Sequence, residues 1–214
     1  MTTPHESAGI VTGWRHQAVP GDAALPALLM LHGTGGDERE MVHLGRSLAP
    51  GAALVAPRGR VSEAGMARFF SRAPDEPFRF PDLEERIDEL AAFVRAALLE
   101  YDLGGRRLYA VGYSNGANAA TALMLRHPGL LHGAVLLRGL LPAEAPEDLD
   151  MADVRVLIAA GEGDAIIPAS HVRNLAETLR RRGADVTEHW SPRGHGLGQD
   201  DLDAASAWLA TPVG

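Results

Sequence analysis

Gly112-Tyr113-Ser114-Asn115-Gly116-Ala117 is the stretch on which the reading turns. It follows an apolar run, Arg107 to Val111, and opens a helical pattern in which Ala117, Ala120, Thr121, Met124 and Leu125 share one face. His127-Pro128-Gly129 ends that pattern. The result is G-x-S-x-G between a strand and a helix. A serine at so sharp a turn is forced into a strained backbone, and side chains two residues either way would clash. Working outward, Ala27 to Leu31, Ala52 to Ala56, Gly133 to Leu137 and Val154 to Ala160 are further continuous apolar runs. Such runs suit strands buried on both faces. Ile10 to Val19 reads as a first strand or hairpin arm, and Val186 to Trp190 as a poorer last strand. Amphipathic segments separate them. Asp82 to Tyr101 carries Leu83, Ile87, Leu90, Val94 and Leu98 at three- and four-residue steps, with Asp82 and Glu85 as a capping box. Ser170 to Arg182 repeats the pattern; its triple arginine suits a helix C-terminus and Gly183 follows as the cap. Asp200 or Asp201 is placed to cap a final helix through Leu209.

Strands alternating with helices give a mostly parallel sheet covered on both faces, here one α/β domain over residues 1–214. In such sheets ligands bind beyond the C-terminal strand ends, so the residues just after each run matter most.

Composition narrows the chemistry. The chain has 214 residues, a net charge of −8 and no cysteine. Every basic residue is arginine. Without lysine there is no Schiff base and no Walker-type phosphate loop. Without cysteine there are no disulfides, thiolate metal sites or cysteine nucleophile. The acidic balance, with no basic run beyond Arg180-Arg181-Arg182, argues against a nucleic-acid partner. No run approaches the roughly 20 apolar residues of a membrane span. Met1 to Ser7 lacks a basic segment followed by an apolar one, so a cytoplasmic location is expected.

A serine nucleophile needs a base and a group that orients the base. Asp164 follows the run Val154 to Ala160, in Gly161-Glu162-Gly163-Asp164, with Glu162 as the local rival. Of nine histidines, His195 follows the last strand between two glycines, with His189 as the alternative. The order Ser114, Asp164, His195 is the one this strand–turn–helix motif uses. Asp200 and Asp201 beside His195 read as helix caps rather than metal ligands. Oxyanion donors are expected from the Asn115 N–H and from the loop Gly33-Thr34-Gly35-Gly36; Thr34 is preferred there and Gly35 is the rival. The implied reaction is acyl transfer. It requires neutral His195, so activity should fall below about pH 6 to 7 as a histidine of ordinary pKa protonates.

With those residues in place, the chain resembles the phospholipase/carboxylesterase family of α/β-hydrolases, which includes acyl-protein thioesterases. It is most similar to small bacterial carboxylesterases, among them hydroquinone-resistance hydrolases. The resemblance rests on LHGTGGDE at 31–38, PRG at 57–59, RFF at 68–70, GYSNGANAA at 112–120, LLRGLLP at 136–142, AAGEGD at 159–164 and GHGL at 194–197. It covers the chain from about residue 25 to its end. It implies an α/β-hydrolase fold without a large lid domain, and Ser114, Asp164 and His195 as triad. It also implies Thr34 and Asn115 as oxyanion donors, and hydrolysis of a small-molecule ester without metal or cofactor, with an acyl-protein or lysophospholipid-type thioesterase or lipase activity as the alternative. It tilts the expectation slightly toward a homodimer. Departures are Ala165 and Gly139, where similar proteins often carry proline.

On the substrate side, Gly33, Phe69, Phe70 and Leu197 are the expected contacts, with Met66 beside the two phenylalanines; a small core packed under their loop is the competing reading for Met66, Phe69 and Phe70. Arg138, at the end of its strand, is the candidate for an anionic substrate group; an internal salt bridge to the acidic stretch Glu144 to Asp150 is the competing reading. Two other classes stand against an ordinary esterase. A dienelactone-hydrolase-like enzyme would favour a cysteine nucleophile. A non-catalytic binding protein would be expected to have lost a triad member.

Overall fold

The computed structural model describes residues 7–11 and 13–211. His5 lies outside them. The strands are β1 (Ser7–Val11), β2 (Trp14–Val19), β3 (Ala27–Leu31), β4 (Ala53–Pro57), β5 (Val61–Glu63), β6 (Met66–Arg68), β7 (Leu108–Tyr113), β8 (Gly133–Leu137), β9 (Arg155–Gly161) and β10 (Asp185–Ser191). The helices are α1 (Glu38–Leu48), α2 (Leu83–Glu100), α3 (Asn115–Arg126), α4 (Ala169–Arg181) and α5 (Gln199–Ala210). Eight strands form one sheet in the order β1-β2-β4-β3-β7-β8-β9-β10. From β4 to β10 all neighbours are parallel; β1 pairs antiparallel with β2, and β2 with β4. β5 and β6 form a separate hairpin that the sequence pattern did not announce.

The apolar runs are continuous because both faces of the sheet are buried. Leu29 and Leu31 of β3 enter one hydrophobic cluster with α2, α3 and α4, whereas Leu28 and Met30 enter a second with α1 and α5. β7 and β8 divide the same way, with Ala110 and Leu136 on the first side and Val111 and Val135 on the second. β10 is the edge strand and is only partly covered, which explains its weaker pattern. This is the α/β-hydrolase arrangement expected from the sequence. Among the described residues no helix is long and apolar enough to cross a membrane.

The predicted caps needed correction at one place. Asp82 precedes α2 but makes no capping bond; its Oδ1 accepts from Ser71 N–H (2.8 Å) and Ser71 Oγ (2.7 Å), pinning the loop before the helix. α5 starts after Gly198, and Asp201, in its first turn, caps it by accepting the Gly198 N–H at 2.8 Å.

The Ser114 turn is locked by close packing. A Cβ on Gly116 would lie 2.1 Å from the Leu31 carbonyl oxygen, and one on Gly112 would lie 2.4 Å from the Gly116 carbonyl oxygen. The start of α3 is thereby wedged against the end of β3. Gly116→Ala should lose roughly 1–3 kcal/mol or more, the usual cost of overpacking where backbone rather than a flexible side chain must yield. Urea unfolding of the purified variant checks this; a midpoint equal to the parent's would mean that the turn has room the geometry denies.

Candidate active site

The C-terminal ends of β7, β9 and β10 bring the three predicted groups together. Ser114 is at φ 51°, ψ −112°, a conformation costly for a non-glycine residue. Its N–H donates to the Leu137 carbonyl at 2.8 Å, and its own carbonyl accepts the Asn118 N–H at 3.0 Å. Ser114 Oγ and His195 Nε2 are 2.9 Å apart. His195 Nδ1 and Asp164 Oδ2 are 2.8 Å apart. With the Nδ1 proton donated to the carboxylate, Nε2 is left as the acceptor for the serine hydroxyl.

Asp164 has two sets of contacts. Its Oδ1 accepts the Ile166 and Ile167 N–H groups at 2.8 and 3.0 Å, closing a tight turn, while Oδ2 faces the histidine. Burial works to raise its carboxyl pKa. The Ile167 and Ile166 amides and the His195 imidazole outweigh that and hold it below the ordinary carboxylate range. The rival Glu162 is exposed. Gly163 N–H donates to the Arg193 carbonyl at 2.9 Å, tying the aspartate turn to the histidine loop. Tyr113 Oη donates to the His195 carbonyl at 3.1 Å. His189 instead faces α5, with Nε2 3.7 Å from Asp201 and 3.9 Å from Asp200.

The glycine loop after β3 is held from three sides. His32 is buried; Nδ1 donates to the Gly33 carbonyl (2.6 Å) and Nε2 accepts the Gly59 N–H (2.9 Å). That pattern needs a neutral ring. Burial above all, with Arg58 nearby, lowers its pKa against the raising effects of the Gly33 bond, Asp37 and Glu38. Arg58 bonds to Asp37 and Glu38 at 3.0 and 2.6 Å. Arg68 Nη1 donates to Thr34 Oγ1 at 2.6 Å. The Gly35 N–H is committed to the Ala67 carbonyl (2.9 Å) and the Gly36 N–H to the Gly33 carbonyl (3.1 Å). Of the two amides considered for the second donor, Thr34 and Gly35, the rival Gly35 is thus the one already held by the backbone. The Asn115 N–H is the first of α3 and has no intrahelical acceptor.

A cavity of about 340 Å³ opens at this point. Ser114, His195, Thr34 and Asn115 border it, together with Phe78, Phe80, Leu140, Ile166, Ile167, Arg68 and Arg72. A larger cavity, about 800 Å³ around Arg107, His132 and Arg155, lies at the N-terminal strand ends, away from the serine. The site is the smaller one because the reactive groups converge there.

The substrate-side expectations fare differently. Phe69 and Phe70 are 1% and 0% exposed and belong to the core. Phe69 packs against Trp14 and His32, and Phe70 against Phe80. The Phe69 N–H donates to Asn115 Oδ1 at 2.8 Å, anchoring this segment against the start of α3. Met66 is exposed on the β5–β6 hairpin. Gly33 is buried against the Tyr113 ring and Leu197 packs on the second cluster; neither borders the cavity. Arg138 is fully buried and ion-paired at 2.7 Å, but with Asp201 rather than with the stretch 144–150. It does not border this cavity. Phe78, Phe80, Ile166 and Ile167 were missed. The isoleucines had a signal, since they stand two and three residues after a carboxylate at a strand end. The phenylalanines lie in an irregular loop with no periodicity to reveal them.

A model of the dienelactone hydrolase family matches residues 73–209, including the Ser114 turn, Asp164 and His195. The chain belongs to this family. The lack of cysteine counted against that assignment in the sequence, but membership does not require it, and serine stands at this member's turn. Over 186 residues the chain is 39% identical to the Bacillus subtilis protein MhqD, named as a hydrolase, covering 87% of this chain and 93% of that one. The Bacillus cereus carboxylesterase is 36% identical with a TM-score of 0.86, covering 92% of this chain and 93% of the other. A Mesorhizobium loti carboxylesterase is 34% identical with a TM-score of 0.88, covering 97% and 99%. This family member is a carboxylic ester hydrolase.

Proposed function

We propose that the protein is a serine carboxylesterase that cleaves small, short-acyl esters through an acyl-enzyme. The observation that carries this reading is the chain of contacts Ser114–His195–Asp164, at 2.9 and 2.8 Å, opening on one cavity. His195 takes the proton from Ser114 as the hydroxyl attacks the ester carbonyl. Asp164 holds the imidazole tautomer and stabilises the imidazolium. The Thr34 and Asn115 N–H groups receive the oxyanion; losing one such donor typically costs about 10²- to 10³-fold in rate. The protonated imidazole hands its proton to the leaving alcohol. Water then attacks the acyl-enzyme with the same base, releasing the acid and Ser114.

A small acyl group suits a cavity of about 340 Å³, near the lower end for ligand sites. A second reading, hydrolysis of long-chain acyl esters or thioesters, is favoured by Phe78 and Ile166. They are 38% and 57% exposed beside the cavity and extend apolar surface beyond it. Hydrolysis of p-nitrophenyl esters from acetate to palmitate separates the two, with Ser114→Ala run in parallel. We expect kcat/KM to fall steadily beyond short chains and to vanish in the variant. A maximum at long chains would establish the second reading, and activity that survives Ser114→Ala would sink both.

A further inference from the structure

We propose that the buried Arg138–Asp201 pair is a positioning device for His195, holding the peptide planes on both sides of the imidazole. The proposal rests on the triad reading. His195 sits between Gly194 and Gly196, and glycine flanks give a loop more backbone freedom to lose than any other residues. Something must take up that freedom if the imidazole is to stay within hydrogen-bond reach of both partners. Arg138 does so with its fork. Nε donates to the Gly194 carbonyl at 3.0 Å and Nη2 to the Gly196 carbonyl at 3.1 Å. One guanidinium thus grips the residue before the histidine and the residue after it.

The rest of the fork fixes the guanidinium itself. Nη2 also meets Ser191 Oγ (3.1 Å) and Asp201 Oδ2 (2.7 Å), while Nη1 meets Asp201 Oδ1 (2.9 Å) and the Ala159 carbonyl (3.0 Å). Arg138 reaches this position from a strained backbone at φ 56°, its N–H donating to the Ala159 carbonyl at 2.8 Å. Both members of the pair are 0% exposed. Asp201, on the first turn of α5, closes the far end of the loop through the Gly198 N–H. A buried ion pair is a poor source of net stability, since apolar residues of similar volume often serve as well. A planar fork that sets two carbonyls at once is something they cannot supply.

The test removes both charges together, Arg138→Met with Asp201→Asn, so that neither is stranded. We expect kcat to fall about 10²-fold, the usual penalty for roughly 1 Å of misplacement. KM should stay within about two-fold and the melting temperature close to the parent's. The low-field proton resonance of the His195–Asp164 hydrogen bond should weaken in this variant and persist in Ser114→Ala. Arg138→Lys, which keeps the charge without the fork, should give an intermediate kcat and resonance. A folded double variant with parental kcat and an unchanged resonance would overturn the proposal. So would a kcat loss that follows the melting temperature while the resonance stands. If the double variant does not fold, Arg138→Lys decides on the same two readouts. Failure of the esterase reading looks different: the parent would show no Ser114-dependent hydrolysis, and the resonance would still score the clamp.

Discussion

Replacing Ser114 with glycine is expected to abolish ester hydrolysis and leave a protein at least as stable as its parent. Ser114 occupies φ 51°, ψ −112°, where a side chain is costly and glycine is at ease. Strain of this kind is worth about 1–3 kcal/mol. Glycine's greater freedom in the unfolded chain takes back about 0.4–1 kcal/mol. The balance lies between neutral and a gain of about 2 kcal/mol, and a chain of this size gains about 2–4 °C in melting temperature per kcal/mol. Removing the hydroxyl strands nothing, because its partner, His195 Nε2, borders the cavity and can turn to water. Loss of a triad serine costs on the order of 10⁶-fold in kcat. Thermal unfolding and p-nitrophenyl acetate hydrolysis on the same preparation check both halves. A melting temperature several degrees lower would mean that the turn is shaped by the hydroxyl; retained hydrolysis would place the nucleophile elsewhere.

That strain also explains why the meeting of the three candidate residues was legible in the sequence and the cavity wall was not. A strained turn demands glycines at fixed offsets, and Gly112 and Gly116 advertise Ser114. Asp164 and His195 follow from where a parallel sheet must end, since loops at those ends converge whatever their composition. The strand runs Ala27 to Leu31 and Gly133 to Leu137 emerge with the same limits in the fold, because two-sided burial leaves little choice of residue.

Orientation is a different matter. Arg138 stands where a substrate contact could be, just past β8, yet a positive φ turns it under the histidine loop. No one-dimensional pattern encodes that turn. Its partner Asp201 is sixty-three residues away in the chain, whereas the acidic stretch 144–150 lay closer and misled the expectation. Phe69 and Phe70 failed for a related reason: their rings pack on Trp14, His32 and Phe80, and their segment is anchored to Asn115, forty-six residues on, contacts that no local pattern encodes. The cavity wall is instead built by Phe78, Phe80, Ile166 and Ile167, from two loops whose meeting is a tertiary event.

Asp164→Asn carries the second large effect. Asparagine can keep Oδ1 on the Ile166 and Ile167 amides, so the turn should survive. Its NH₂ group then faces His195 Nδ1. Two donors cannot share that contact, so the ring adopts the other tautomer and presents Nε2–H to Ser114. The base is lost while every atom stays in place, and kcat is expected to fall about 10⁴-fold with KM little changed. Acid titration gives an independent check. Asp164 is held below its ordinary value of 3.8, so the folded state binds that proton more weakly than the unfolded chain does. Its contribution to stability is present in full above the ordinary value and is lost as pH falls through the depressed folded value. Urea midpoints should therefore drop more steeply in the parent than in Asp164→Asn below about pH 4. Glu162→Gln is the control: that side chain is exposed, and kcat should not move. If the two variants exchange behaviours, the orienting carboxylate is Glu162, and the assignment of Asp164 is wrong.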